Sequence, residues 1–273
     1  KITTQEWLDI VQMHAEDGVD FMTIHCGINK STVQRFKETK RHMNIVSRGG
    51  SLIFSWMEMT GNENPFYEHF DDILEICQKY DVTLSLGDAC RPGCIEDSGD
   101  ISQIEELVTL GELTQRAWAK DVQVMIEGPG HVPMNEVEAQ IISIKKMTHG
   151  APLYVLGPLT IDSSPGYDHI AGAIGGAMAV RVGVDFLCYL TPAEHLTLPD
   201  MDDVRQGIMA SRVAAQAGEV ALGRPHALAR EAKMAKARMA LDWPAMREAA
   251  IDPAILDKRR EPHKHEEACA MCG

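Results

Sequence analysis

The chain is 273 residues long and 45% hydrophobic, enough to bury a sizeable core as one large domain or two small ones. Its 40 acidic against 26 basic residues give a net charge of −14, which argues against nucleic acid or an anionic membrane as the main partner. No apolar run reaches the roughly 18 residues that a membrane span needs, and the opening KITTQEWLDI is too polar for a signal peptide, so the chain reads as soluble and cytoplasmic.

Seven cysteines, at 26, 77, 90, 94, 188, 269 and 272, are odd in number and scattered, unlike a secreted disulfide scaffold. They read as reduced thiols or metal ligands. With no Met at its start and Cys272 one residue from its end, the chain reads as trimmed at both ends.

From Asp20 to Thr191 a short apolar or β-branched run repeatedly ends in a polar or Gly-containing turn, and a helical pattern follows. The runs are DFMTIHCG, NIVSRGG, VTLSLGD, VQVMIEGPGH, LYVLGPL and FLCYLTP. Amphipathic stretches such as PFYEHFDDILEICQKY and DISQIEELVTLGELTQRAWAKD separate them, which predicts parallel βα units. Polar residues gather where the runs end: His25, Ser47 and Arg48, Asp88 and Arg91, Glu127 and His131, Tyr154, Glu194 and His195. A (β/α)8 TIM-like barrel collects strand ends into one mouth, so this distribution predicts a barrel core over 1–199, with two strands missing or upstream of Lys1. A doubly wound open sheet, which draws its site from fewer strands, is the competing architecture. After Pro199 the texture turns Ala-rich, predicting a helical region over 200–256 and then a polar, mobile tail over 257–273.

Arg48 in VSRGG and Arg91 in LGDACRPG each stand beside glycine or proline at a strand end, suited to gripping a phosphate or carboxylate; a salt bridge to an acid such as Asp88 is the bland alternative. EGPGHVP sets Glu127 and His131 about a turn that cannot be helical, where both can face a ligand or simply decorate a loop. His195 in TPAEHL can join His131 on a zinc or iron ion, although two histidines from different strands are more often unrelated. The glycines of SSPGYDHIAGAIGGAMA serve close packing, with Tyr167, Asp168 and His169 in the loop before a helix. Cys269 and Cys272 form a lone CxxC, open to three readings: a redox pair, a zinc knuckle completed by His263 and His265, or part of an iron–sulfur site needing one more cysteine.

Taken together, MTIHCG, IVSRGG, YDVTLSLGD, GELTQRAW, VQVMIEGPGHVP, PGYDHI, FLCYLTPAEHL and the terminal CAMCG resemble the ThiC family of radical S-adenosylmethionine enzymes over roughly residues 5 to 273. The resemblance implies a (β/α)8 barrel acting on 5-aminoimidazole ribotide. It also implies a C-terminal [4Fe-4S] cluster that binds S-adenosylmethionine and starts radical chemistry, so the chain is expected to be a radical carbon–carbon lyase. By the same resemblance His25, Ser47, Arg48, Gly49, Asp88, Ala89, Cys90, Arg91, Glu127 and Tyr154 contact the substrate, with Glu127 catalytic. His131 and His195 hold a second metal, zinc or iron, and Cys269 and Cys272 are the first two cluster ligands. An electron donor such as flavodoxin or ferredoxin and a homodimer are further implications. ACRPGC and IDSSPGYDHIAG depart from the usual mouth pattern of the thiamine branch. These departures favour conversion of the ribotide to 5-hydroxybenzimidazole, for the lower ligand of anaerobic cobamides. The pyrimidine phosphate of thiamine biosynthesis is the alternative product, and a metal-dependent lyase or hydrolase without radical chemistry is a second alternative.

Overall fold

A computed structural model describes residues 2–269 and 271. Helix α1 (Thr4–Glu16) opens with a capping box, in which the Thr3 hydroxyl accepts from the Glu6 N–H and the Glu6 carboxylate accepts from the Thr3 N–H. Five strands follow: β1 (Phe21–Ile24), β2 (Thr83–Leu86), β3 (Val124–Gly128), β4 (Leu153–Leu156) and β5 (Phe186–Cys188). They pair in parallel in simple chain order, β1-β2-β3-β4-β5, so each connection advances by one strand position. Parallel neighbours require crossovers, and helices supply them.

Between β1 and β2 lie α2 (Lys30–Glu38), α3 (Arg48–Thr60), α4 (Pro65–Glu68) and α5 (Phe70–Tyr80). Then α6 (Ile101–Trp118), α7 (Val137–Met147) and α8 (Asp168–Arg181) each join successive strands. Polar residues start these helices: Asn29 caps α2, Asn64 caps α4 and Asp100 caps α6 through side-chain oxygens. The core lies between sheet and helices, with Leu84, Leu86, Ile126, Leu153 and Val155 of the strands fully buried against Phe70, Ile73, Leu110 and Ile141 of the helices. Beyond the sheet, α9 (Met201–Ala221), α10 (Pro225–Met239), α11 (Trp243–Ala249) and α12 (Pro253–Arg260) make up a helical region.

Two expectations need correction here. NIVSRGG is not a strand, because Ser47 instead caps α3, its Oγ accepting the Gly50 N–H at 3.2 Å. Only Ile45 and Val46 of that run are β-branched, too few to outweigh a strong cap. The second correction concerns closure: the described strands form an open five-stranded sheet, and a closed (β/α)8 barrel is not observed. The edges are β1 and β5, and Phe21 and Phe186 on them are each 56% exposed.

The segment expected to be a mobile tail also begins as ordered structure. Residues 257–260 finish α12, Arg247 pairs with Asp257 at 2.9 Å, and the Arg260 guanidinium stacks 3.9 Å from the Trp243 ring centroid. Among the described residues, no helix is long and apolar enough to cross a membrane.

Candidate active site

The C-terminal ends of the parallel strands converge on two groups of polar side chains. In the first, β3 and β4 are in register with Glu127 opposite Tyr154, so the Tyr154 hydroxyl reaches Glu127 Oε1 and donates to it at 2.8 Å. The other oxygen, Oε2, accepts the Asp88 backbone N–H at 3.0 Å from the loop after β2. Arg91 closes the group, its Nη1 lying 3.2 Å from Asp88 Oδ1. This ion pair is the bland alternative raised for Arg91, yet it sits inside a polar mouth. Among the described residues, Asp88 Oδ2 and Arg91 Nε are buried without a hydrogen-bond partner, so both retain polar capacity to offer a ligand.

Electrostatics separate the two carboxyls. Burial pushes Asp88 well above the usual carboxylate range, the neighbouring Glu127 charge adds to this, and Arg91 opposes it. Burial would raise Glu127 too, but hydrogen bonding from Asp88, the Arg91 charge and the Tyr154 hydroxyl outweigh it and hold Glu127 below its ordinary value. A proton taken up by the pair therefore resides on Asp88, and Glu127 remains ionised. Tyr154 is held well above a free phenol, by burial first and then by Glu127, so it stays a neutral donor.

His25 follows β1 and is wedged between two glycines. A Cβ on Gly49 would lie 2.5 Å from its Cδ2, and one on Gly87 would lie 2.5 Å from its Nδ1. Its Nε2 is 3.0 Å from Ser47 Oγ, so the residue that caps α3 also orients this imidazole. Burial, against the pull of Glu127, lowers the His25 pKa and favours the neutral ring. Asn64, fully buried, pins the same loop by donating to the His25 and Ile28 carbonyls at 2.8 and 2.7 Å.

The second group contains the two histidines expected to share a metal, and the structure brings them together with ring centroids 5.3 Å apart. His131 Nδ1 is 2.7 Å from an Asp162 carboxylate oxygen, and His195 Nδ1 is 3.3 Å from Asp168 Oδ2. With Nδ1 turned to a carboxylate in each case, Nε2 is the nitrogen left for a metal, the arrangement by which proteins orient imidazole ligands. Burial lowers the His131 pKa against the opposing Asp162, which suits an unprotonated ligand. His195 takes a left-handed backbone, φ 62°, uncommon for a residue other than glycine. The donor set thus fits a cation held by two imidazoles, with other positions left to water or substrate. No third His, Cys, Asp or Glu completes a metal-binding group among the described residues.

Other expected residues lie differently. Gly49 packs on His25, and Arg48 is exposed at the first turn of α3. Ala89 and Cys90 are fully buried. Their N–H groups, with that of Asp88, are all taken by carboxylates, which removes them as an anion cradle. Cys269 is half-buried, and Cys272 lies outside the described residues. His263, a possible zinc-knuckle ligand, instead faces Glu266, with Nδ1 2.7 Å from its carboxylate.

Sequence reasoning missed Asn64, Glu106, Asp162 and Asp168 as supporting residues. For Asp168 a signal existed: it stands in the PGYDHI block, directly before a helical pattern. A buried carboxylate at a helix start beside a strand-end histidine is a metal-support pattern.

Residues 1–273 match the family described as Radical SAM ThiC family. The chain belongs to that family. A phosphomethylpyrimidine synthase of Pelotomaculum thermopropionicum is 59% identical over 275 residues, covering all of this chain and 64% of the relative. Enzymes of the same name from Clostridium novyi and Clostridium acetobutylicum are 58% and 57% identical over 274 residues, again covering all of this chain and 63% of each relative. The chain thus spans just under two thirds of the length of these curated relatives. Membership in the radical SAM ThiC family implies S-adenosylmethionine and an iron–sulfur cluster. The preference for a hydroxybenzimidazole product is overturned, because the relatives at 57–59% identity are named for phosphomethylpyrimidine.

Proposed function

We propose that this chain is the larger part of a phosphomethylpyrimidine synthase, which rearranges 5-aminoimidazole ribotide to the pyrimidine phosphate of thiamine biosynthesis. The observation that carries the reading is the interlocked Asp88–Arg91–Glu127–Tyr154 group at the ends of β2–β4, in a chain 59% identical to an enzyme of that name.

His25, Ser47, Arg48, Gly49, Asp88, Arg91, Glu127 and Tyr154 bind the ribotide, while Ala89 and Cys90 shape the loop from behind. Arg91, whose Nε is buried without a partner, and exposed Arg48 offer guanidinium forks to the anionic substrate. Glu127, ionised beside a neutral Tyr154, accepts a proton from the bound substrate, and Asp88 is the carboxyl able to return one. Tyr154 keeps Glu127 aimed through its 2.8 Å hydrogen bond. His131 and His195 hold a zinc or iron ion, steadied by Asp162 and Asp168. Cys269 and Cys272 contribute to the cluster, which with S-adenosylmethionine supplies one-electron chemistry when bound.

The five strands form part of a (β/α)8 barrel closed by residues of the longer protein. Two features support this: the simple strand order, and a groove along the open edge of β5 between Phe186, Leu187, Tyr189, Ile208 and Arg212. The enzyme is a cytoplasmic homodimer supplied with electrons by a flavodoxin- or ferredoxin-like donor. Anaerobic reconstitution with iron and sulfide, then incubation with reductant, S-adenosylmethionine and aminoimidazole ribotide, tests the whole reading. Mass spectrometry should find 5′-deoxyadenosine and a phosphomethylpyrimidine. Deoxyadenosine without that pyrimidine refutes the assigned product, and absence of both refutes the reaction.

A further inference from the structure

Glu106, on the buried face of α6, is fully enclosed and belongs to neither group at the strand ends. Its two carboxylate oxygens accept the consecutive N–H groups of Ala89 and Cys90 at 2.8 and 2.6 Å. On the next peptide plane, Arg41 Nη2 donates to the Cys90 carbonyl at 2.6 Å, and Arg41 is itself held by Asp100 at 2.6 Å. The loop Asp88–Arg91 is therefore gripped through its backbone from the helix side, while the Asp88 N–H meets Glu127 and the Arg91 side chain meets Asp88. Gly27, after β1, makes room for this grip, since a Cβ there would lie 2.7 Å from Glu106 Cγ and equally close to Leu110 Cδ2.

A buried carboxylate is costly without compensation, and a glutamine or an apolar residue would fill the same volume. What the carboxyl adds, ionised or protonated, is two oxygens facing two adjacent donors, a geometry that a single amide oxygen cannot reproduce. We propose that Glu106 is a positioning residue that sets the Asp88–Arg91 loop, and through it the affinity of the mouth for its anionic substrate. Glu106 acts through Ala89 and Cys90 and does not touch the substrate. The inference rests on the reading of Arg91 as a substrate-binding residue.

The test uses the reconstituted holoenzyme with Glu106→Gln, Gly27→Ala and Arg91→Ala, aminoimidazole ribotide as the probe, and hydrogen exchange as a second readout. A misplaced binding group can lose about tenfold or more in substrate affinity with the reacting groups intact. E106Q should raise KM for the ribotide about tenfold and leave kcat within about threefold, with faster amide exchange confined to residues 87–92. A parallel fall in kcat with faster exchange across the whole sheet means that Glu106 is merely structural, and overturns the proposal. So does an unchanged KM in folded E106Q. If E106Q does not fold, G27A displaces the same side chain and must give the same split between KM and kcat; an unchanged KM there overturns the proposal equally. R91A separates the two levels. A raised KM in R91A with none in E106Q sinks only the role of Glu106, whereas an unchanged KM in R91A sinks the reading of the mouth and this inference with it.

Discussion

Glu127 engages Tyr154 and Asp88 through both of its oxygens, and Asp88 in turn pairs with Arg91. His131 and His195, by contrast, each rest on a single carboxylate, and those carboxylates come from separate positions, Asp162 and Asp168. The first group behaves as one unit, because altering any member leaves another buried donor or acceptor without its partner. The second is modular, since one orienting contact can be weakened while the other histidine keeps its own. The largest expected effect therefore belongs to the first group. Glu127→Gln presents an amide NH2 where an acceptor is required, so either the Asp88 N–H or the Tyr154 hydroxyl loses its partner, and the base is gone. Turnover should fall about 10²–10⁴-fold, in the range for loss of a positioned acid–base group, while zinc affinity measured by chelator competition stays unchanged. A comparable loss of zinc affinity would show that the two groups are not independent.

Asp162→Asn breaks the comparison from the other side. Asp162 is 40% exposed at its side chain, so the change should spare folding, whereas Asp168 is almost wholly buried and less suited to this purpose. Loss of an orienting carboxylate typically weakens metal binding about 10–100-fold, and D162N should show that loss with ribotide affinity intact. Unaltered zinc affinity would mean that His131 needs no such support.

A smaller effect is expected at Gly49, where helix propensity and site geometry compete. In an exposed helix, Gly→Ala stabilises by up to about 1 kcal/mol. Here the added methyl would lie 2.5 Å from the His25 ring, so Gly49→Ala should fail to raise the melting temperature and should weaken ribotide binding several-fold. A more stable G49A with normal affinity would show that His25 is free to move aside.

Much of this arrangement was legible from one sequence because strand ends announce themselves: His25, Asp88 and Glu127 each close or follow an apolar run, whereas Tyr154 lies inside β4 and reaches Glu127 through the strand register. The crossover helices were legible for a similar reason, as α5 and α6 carry clear apolar stripes and Asp100 provides a cap. NIVSRGG was misread because a short β-branched run and a Ser N-cap look alike until Gly50 is seen to donate to Ser47. What the sequence did not show at Ala89 and Cys90 is that their N–H groups are held from behind by an acid on α6, since spacing along a loop does not tell which residues a distant helix grips. Glu106 was invisible for the complementary reason. It lies in an amphipathic helix among Glu105 and Glu112, and nothing local distinguishes the buried acid from the solvated ones.

That buried acid sharpens the comparison through pH, because neither the Glu127 group nor the histidine pair contains it. Burial pushes the Glu106 carboxyl up to about 8, against the Cys90 and Ala89 amides that favour its ionised form; Glu127 adds to the rise and Arg41 opposes it. In the unfolded chain the same carboxyl titrates near its ordinary value of 4.5. Between those values the folded protein holds a proton that the unfolded chain has released, so unfolding is linked to proton loss. The stabilisation is fully present below the unfolded value and is lost as pH rises through about 8. The melting temperature of the wild type should therefore fall more steeply between about pH 5 and pH 8 than that of E106Q, which has no proton to lose there. Asp88, raised by burial first, is also raised by the Glu106 charge, so E106Q reduces both contributions and the difference between the two slopes keeps its sign. Equal slopes in thermal melts across that window would show that Glu106 is ionised in the folded protein at every pH tested, its carboxyl held low by the two amides it binds.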